Sequence, residues 1–294
     1  MSERKRCLVT GANGLVGSGI LAKLVRTHEV HALVRRLPDQ RLEGVNYLLI
    51  DLAADWPVSQ LPGRTDVILH LAQSENFRDF PDKAIEIFNV NTCSTLRLLD
   101  YARGAGVKKF IYASSGGIYG TADSGFTEDR PIHSGDVLGF YLGTKFCSEI
   151  IAENYTPFFD VDMIRFFFVY GPQQRKSMLI PRLVSNVLNG TPVMLQGQDG
   201  LKINPIHVDD AADALLKCME LPGSHKINIG GSEVLSLRAI CSTIGEIAGK
   251  TPAFQVDERS EPRHIYGDVS KMKRLLGEPK ISFAEGVNEL VRNA

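Results

Sequence analysis

No uninterrupted apolar stretch in the 294-residue chain approaches the roughly 18 to 20 residues of a membrane span, so no membrane-crossing helix is expected. Nor does one sign of charge predominate. Its 33 basic and 34 acidic residues nearly cancel, which removes the broad positive field of a nucleic-acid binder and leaves any charged ligand to be held locally. Cysteine is scarce and scattered. Cys7, Cys93, Cys147, Cys218 and Cys241 are odd in number and form no C-x-x-C pair, so neither a disulfide framework nor a zinc site is expected. His207 has no Cys or His at ligand spacing, and no metal is assigned to it. Repeats and low-complexity segments are missing too. Met1 to Arg6 is basic, but Cys7 to Thr10 leads into a glycine loop rather than a long apolar segment, so a cytoplasmic address is expected.

What is present is alternation. Short apolar or β-branched runs at Arg6 to Thr10, Val30 to Val34, Val45 to Ile50, Asp66 to Leu71, Lys109 to Ala113 and Val161 to Phe167 are separated by helical periodicities. Ile20, Leu21, Leu24 and Val25 share one helix face, and a second helix spans Lys83 to Arg103. Six strands in this order predict an α/β, Rossmann-type, doubly wound parallel sheet. After Gly171-Pro172 the texture changes to a helix over Ile180 to Leu188 and shorter, proline-broken elements. The expected organisation is a dinucleotide-binding domain over residues 1–170, with 203–232 packing back onto it. A smaller mixed substrate-binding lobe would then comprise residues 171–202 and 233–294. Ligands of such sheets sit beyond the carboxyl ends of the strands.

VTGANGLVG places Gly11, Gly14 and Gly17 three apart, after a strand and before a helix. A tight turn, a backbone without Cβ atoms and a helix start whose N–H groups receive negative charge are the requirements of a pyrophosphate. Asn13, Leu15 and Val16 complete this cofactor-binding turn. The second strand ends in Arg35 and Arg36 where an acidic residue would accept bonds from an adenosine ribose. A guanidinium suits a 2′-phosphate, so NADP is favoured over NAD, with solvated surface charge as the other reading. Asp51 and Leu52, ending the third strand, are placed to meet the adenine edge, though such an Asp also serves as a turn former.

YLGTK sets Tyr141 and Lys145 one helical turn apart on one face. Taken with the glycine loop, HLA (His70 to Ala72), SSGGIYG and Y-x-x-x-K in that order, it resembles the extended short-chain dehydrogenase/reductase superfamily. Within it the likeness is to the NAD-dependent epimerase/dehydratase family, which acts mainly on nucleotide sugars. NVNTCSTLRLLDYA, RFFFVYGP, INPIHVDDAADAL and INIGGSEVLSLRAI extend the likeness along nearly the whole chain. The resemblance implies that Tyr141 is the acid/base, that Ser115 hydrogen-bonds the reacting oxygen and that Lys145 holds the nicotinamide ribose while favouring tyrosinate. Leu71, Ala72 and Gln73 fall at the cofactor, with Gln73 also able to meet a sugar hydroxyl. Lowering a tyrosine from about 10 to about 7 requires roughly 4 kcal/mol. A cation at about 5 Å and an effective dielectric of about 20 supplies about 3 of these. The positive charge of an oxidised nicotinamide and a serine hydrogen bond would furnish the rest.

Departures from the family pattern narrow the reaction. Dehydratases carry an acidic pair after the catalytic Ser or Thr, where this chain has Gly116 and Gly117, so dehydration is disfavoured. Phe168 replaces the asparagine that many relatives carry before V-Y-G-P. Expected substrate contacts are Gln73, Ser115, Gly116, Phe168, Arg175 and Arg263, the last resembling a C-terminal arginine that clamps a diphosphate. Asp209 and Asp210 are expected to cap the following helix. The favoured activity is hydride transfer at a carbinol carbon of a nucleotide sugar, as a 4-epimerase or 4-ketoreductase. A reductase of a non-sugar carbonyl and a non-catalytic dinucleotide sensor remain as alternatives. A homodimer through the helix bearing Y-x-x-x-K is expected from the apolar Phe146, Ile150 and Ile151.

Overall fold

The computed structural model describes residues 4–132 and 138–294; Met1 to Glu3, part of the basic start considered above, lie outside them. The elements in chain order begin with β1 (Arg6–Thr10), α1 (Leu15–Leu24), β2 (Glu29–Val34), β3 (Val45–Leu49), β4 (Val67–His70) and α2 (Ala84–Phe88). A π turn over Asn89–Cys93 leads into α3 (Ser94–Gly104), followed by β5 (Lys109–Ser115), α4 (Gly139–Glu153) and β6 (Asp160–Phe166). Then come β7 (Val169–Tyr170), α5 (Leu179–Asn189), β8 (Val193–Gln196), β9 (Lys202–Ile203), β10 (Ile206–His207), α6 (Val208–Glu220) and β11 (His225–Ile229). The chain closes with β12 (Leu235–Ser236), α7 (Leu237–Ala248), β13 (Phe254–Asp257), α8 (Ser270–Leu276) and α9 (Phe283–Arg292).

Seven strands form the main sheet in the order β11-β6-β5-β4-β1-β2-β3, and β1 to β5 pair in parallel throughout. This is the doubly wound α/β arrangement the alternation predicts. The predicted strands lie within two residues of the observed ones. The seventh, β11, falls in the 203–232 segment expected to pack back onto this domain but is not among the predicted strands, because its HKINI opens on two polar residues. The predicted helix over 83–103 is real but interrupted by the π turn.

Contact density divides the chain into unit 1 (1–118, 132–165 and 215–227) and unit 2 (119–131, 166–214 and 228–294). The boundaries differ from the sequence expectation. Residues 119–131, 166–170 and 203–214 belong with the later lobe, and only 215–227 of the expected return segment joins the first. Unit 1 has its core where Leu8, Ile68, Phe110 and Tyr112 of the sheet meet Leu98, Leu99 and Ala102 of α3. Unit 2 has its own core, from Ile180, Leu183, Val184 and Val187 of α5, Ile240 and Ile244 of α7, and Phe283 and Val287 of α9. Among the described residues no helix is long and apolar enough to cross a membrane.

Candidate active site

Unit 1 builds its site at the carboxyl ends of β1, β4 and β5. After Thr10 the chain turns sharply at Gly11, whose φ of +65° suits only a residue without a Cβ. Any Cβ there would stand 2.7 Å from the Ala72 nitrogen, so the turn rests directly on the segment leaving β4. Gly14 N–H donates to the Gly11 carbonyl at 2.8 Å. A side chain on Gly17 would collide with that same carbonyl oxygen. No side chain caps α1, and its first turn carries no acidic residue, so its N–H groups and dipole face outward undiluted. This cradle fits a dinucleotide pyrophosphate. Leu15 and Val16 are half-buried in that first turn. Asn13 is occupied elsewhere, its Nδ2 donating to the Arg36 carbonyl at 2.8 Å and tying the glycine turn to the end of β2.

Two cofactor expectations change in character. Arg35 Nη2 lies 3.1 Å from Glu75 Oε1, both side chains about half exposed, so this guanidinium faces a carboxylate that a 2′-phosphate would have to displace. Asp51 Oδ1 accepts from Ala53 N–H at 3.0 Å, the turn-forming role weighed above. Leu52 packs against the core of unit 1.

Helix α4 carries an inverted pattern. Thr144, Lys145, Ser148 and Glu149 are buried, while Ile150 is 51% exposed. Lys145 is 1% exposed, donates to the Ala113 carbonyl at 2.9 Å and lies over the Tyr112 ring. Tyr141, one turn earlier, donates its phenol to Gln73 Oε1 at 2.8 Å and packs at a tilt against the Phe77 ring. Both side chains therefore reach toward the ends of β4 and β5. Ser115 ends β5, and its Oγ accepts from Gly117 N–H at 3.1 Å. A Cβ on Gly117 would lie 3.0 Å from Leu142 and 3.3 Å from Ser115 Oγ, so the acidic pair of a dehydratase would crowd this serine.

The electrostatics differ from the sequence expectation of a free ammonium beside the phenol. Burial pushes the Tyr141 phenol up from its ordinary range. Burial also brings Lys145 down to about 7, despite the opposing influence of Glu149 one turn on. The ammonium that should favour tyrosinate is thus itself weakened near neutral pH, because the same dehydration acts on both groups. Glu149 is held by a two-point pair with Arg165, at 3.0 and 2.7 Å.

A buried polar chain fixes these parts. Ala72 N–H donates to Thr10 Oγ1, and Thr10 Oγ1 pairs with His70 Nδ1 at 2.7 Å. His70 Nε2 meets Thr95 Oγ1 at 2.9 Å, and that hydroxyl donates to the Asn91 carbonyl. With Thr95 spending its proton on a carbonyl, His70 must donate from Nε2 and accept at Nδ1. Burial brings His70 down to about 3, with Lys145 pushing the same way, so the ring is neutral. Asn91, in the π turn, accepts Ser74 N–H at Oδ1 and donates from Nδ2 to Thr144 Oγ1, each at 2.9 Å. Thr144 Oγ1 in turn donates to the Tyr141 carbonyl. Sequence reasoning missed Asn91. Its signal was the run of polar residues at 91, 95, 144 and 148, on helix faces that a core would fill with apolar ones.

Unit 2 holds the remaining expected residues. Phe168 adopts a left-handed φ of 47° and packs partly against the unit 2 core, which accounts for this aromatic without a ligand. Arg175 is exposed in the turn after β7. Arg263 is exposed and lines a concavity of about 620 Å³ with His264, Gln196, Thr121 and Asp123. Asp210 does not cap α6: its carboxylate accepts the N–H groups of Lys280 and Ile281, both at 2.9 Å, because a carboxylate this buried is held by a crossing backbone. Among the described residues no three His, Cys, Asp or Glu side chains gather as a metal site.

The profile of the NAD dependent epimerase/dehydratase family matches residues 7–230. The UDP-glucuronate 4-epimerase of Thermodesulfobacterium geofontis is 28% identical over 230 residues, 76% of this chain and 71% of that one. The UDP-glucose 4-epimerase of Mycolicibacterium smegmatis is 27% identical over 312 residues, with 97% of each chain covered. Among solved structures, MoeE5 in complex with UDP-glucuronic acid and NAD superposes with a TM-score of 0.84 at 29% identity, over 98% of this chain and 99% of that one.

Proposed function

The chain belongs to the NAD-dependent epimerase/dehydratase family, and from that premise we propose that it is a UDP-sugar 4-epimerase working with NAD. It is an enzyme of the extended short-chain dehydrogenase/reductase type. The observation that carries the reading is the join within unit 1 of three parts. The glycine turn rests on Ala72, and the next residue, Gln73, holds the phenol of Tyr141.

Tyr141 takes the proton of the sugar 4-hydroxyl and returns it to the oxygen after the face of the sugar has changed. Ser115 Oγ, already accepting from Gly117 N–H, keeps its own hydrogen to donate to that oxygen. Lys145, one turn on, stabilises the phenolate and would hold the nicotinamide ribose. NAD, when bound, supplies the acceptor and donor of hydride. Residues Gly11 to Gly17 hold the pyrophosphate, Leu71 to Gln73 the nicotinamide side, and Asp51 and Leu52 the adenine edge. Among the residues of unit 2, the exposed Arg263 and Arg175 are the candidates to bind a diphosphate. Gly116 and Gly117 leave no extra acid or base for dehydration.

NAD replaces the NADP expected from Arg35 and Arg36 because Glu75 faces Arg35 and would repel a 2′-phosphate. We also infer a homodimer through the side of α4 that carries the exposed Ile150, Ile151 packing instead against the unit 1 core, and a cytoplasmic address that suits five unpaired cysteines. Incubation with UDP-glucose or UDP-glucuronic acid and NAD or NADP, read by NMR, tests the reaction. The expected product is the 4-epimer, formed faster with NAD. Reduction of a free ketone without turnover of any UDP-sugar would instead identify a carbonyl reductase.

A further inference from the structure

The strongest feature outside the expected triad is the loop that carries Gln73. Its side chain is exposed, yet its backbone is clamped on both sides by buried groups: Ala72 N–H by Thr10 Oγ1 at 3.1 Å, and Ser74 N–H by Asn91 Oδ1 at 2.9 Å. A surface glutamine with no task needs neither anchor. The same Asn91 carboxamide, through Thr144, also fixes the Tyr141 backbone, so one side chain sets the spacing between Gln73 and Tyr141. Phe77 closes the other side of the Tyr141 ring, at 5.0 Å between centroids.

We propose that Gln73 is a positioning residue that hydrogen-bonds Tyr141 in both of its protonation states, with Asn91 as the brace that holds the two in register. Toward the phenol it presents Oε1, as at the 2.8 Å contact. Toward the phenolate it presents Nε2–H after a half-turn of its carboxamide. A carboxamide is one of the few uncharged groups that can do both. The inference rests on the proposed reaction, in which Tyr141 must exist in each form once per cycle.

The titratable and charged groups on the elements around this phenol are Lys145 one turn on in α4, with Glu149 beyond it paired to Arg165, Tyr112 on β5, which feels the charge of Tyr141, the neutral His70 at the end of β4, and Arg78 over the Phe77 ring that packs on Tyr141. Gln73, the group hydrogen-bonded to the phenol, exchanges acceptor for donor without changing charge. A bond to an ionised partner is roughly twice as strong as a neutral one, so Gln73 on balance favours the phenolate.

The test is the phenolate absorbance of Tyr141, obtained as the difference between proteins with and without Tyr141→Phe, titrated with and without NAD. In Gln73→Met, which keeps the length and loses both hydrogen bonds, the midpoint rises by about half to one pH unit. In Gln73→Glu, an acceptor only, it rises further. The pH profile of UDP-glucose turnover moves by the same amount, which a merely structural role would not produce. Midpoints that coincide with wild type in both variants would overturn the role of Gln73. Because the titration needs no turnover, failure to convert any UDP-sugar would count against the proposed reaction and not against this inference.

Discussion

Each unit of this protein buries asparagine, and Asn91 of unit 1 and Asn228 of unit 2 are put to different use. In unit 1, Asn91 joins the loop after β4 to the backbone of Tyr141, so its hydrogen bonds end on groups proposed to react. In unit 2, Asn228 accepts from Tyr119 Oη and donates to the carbonyls of Phe126 and Asp268, so its bonds end on loops beneath a Tyr119–Phe126–Phe167 stack. Burial of the two is equal, at 1% and 0% exposure, so the cost of removing water is alike. The difference lies in what each orients. Buried polarity aims side chains in one unit and closes the chain on itself in the other.

Paired substitutions can break or sharpen this contrast. The largest effect is expected from Tyr141→Phe, which lowers kcat by about 10²- to 10⁴-fold with little change in Tm. Its counterpart Tyr119→Phe leaves Asn228 Oδ1 without that donor and costs about 1 kcal/mol of stability, with the pH profile of turnover unmoved. Next, Asn91→Ala strands the Ser74 N–H, removes the support of Thr144 and destabilises by about 3 kcal/mol, with kcat falling more than stability alone explains. Asn228→Ala is expected to lower Tm comparably in denaturation experiments while retaining the wild-type pH profile. If Asn228→Ala shifts the profile as much as Asn91→Ala does, the distinction between the units fails.

A smaller effect is the acid sensitivity of unit 1. The folded state holds His70 near 3, below its unfolded value, so as pH falls below about 6.5 the unfolded chain binds the proton first. Stability is therefore full above that pH and declines through the window down to 3. About 2 kcal/mol should be lost at pH 5, and His70→Asn should flatten the dependence of Tm on pH over this range. The smallest effect is expected in unit 2 from Phe168→Asn. Asparagine tolerates the left-handed backbone that strains Phe168, offsetting the lost partial burial to within about 1 kcal/mol in thermal melts.

The contrast also explains what sequence could reveal. Strands β1 to β6 were legible because apolar runs and turn residues are local signals, and the glycine turn and Y-x-x-x-K because their spacing is itself the geometry. The bond between Gln73 and Tyr141 was not legible because a contact between residues 68 positions apart leaves no trace in spacing. Lys145 was read as a plain cation; its burial to 1% depends on the whole sheet and helix arrangement. In unit 2, Phe168 was read as a lost polar contact, whereas its backbone angle and its packing against the local core emerge only in three dimensions.

The π turn at Asn89–Cys93 accommodates one residue more than the α-helices it joins. One residue corresponds to about 100° of helix rotation. The widened turn takes up that rotation locally, so Leu98, Leu99 and Ala102 keep their face to the sheet while Asn91 is displaced from the regular helical register; deleting a single position there would give an unbroken helix and lose that displacement. Natural variation in this stretch should therefore exchange residue types freely on its outer side while conserving its length, so that insertions and deletions are selected against even where point changes are tolerated.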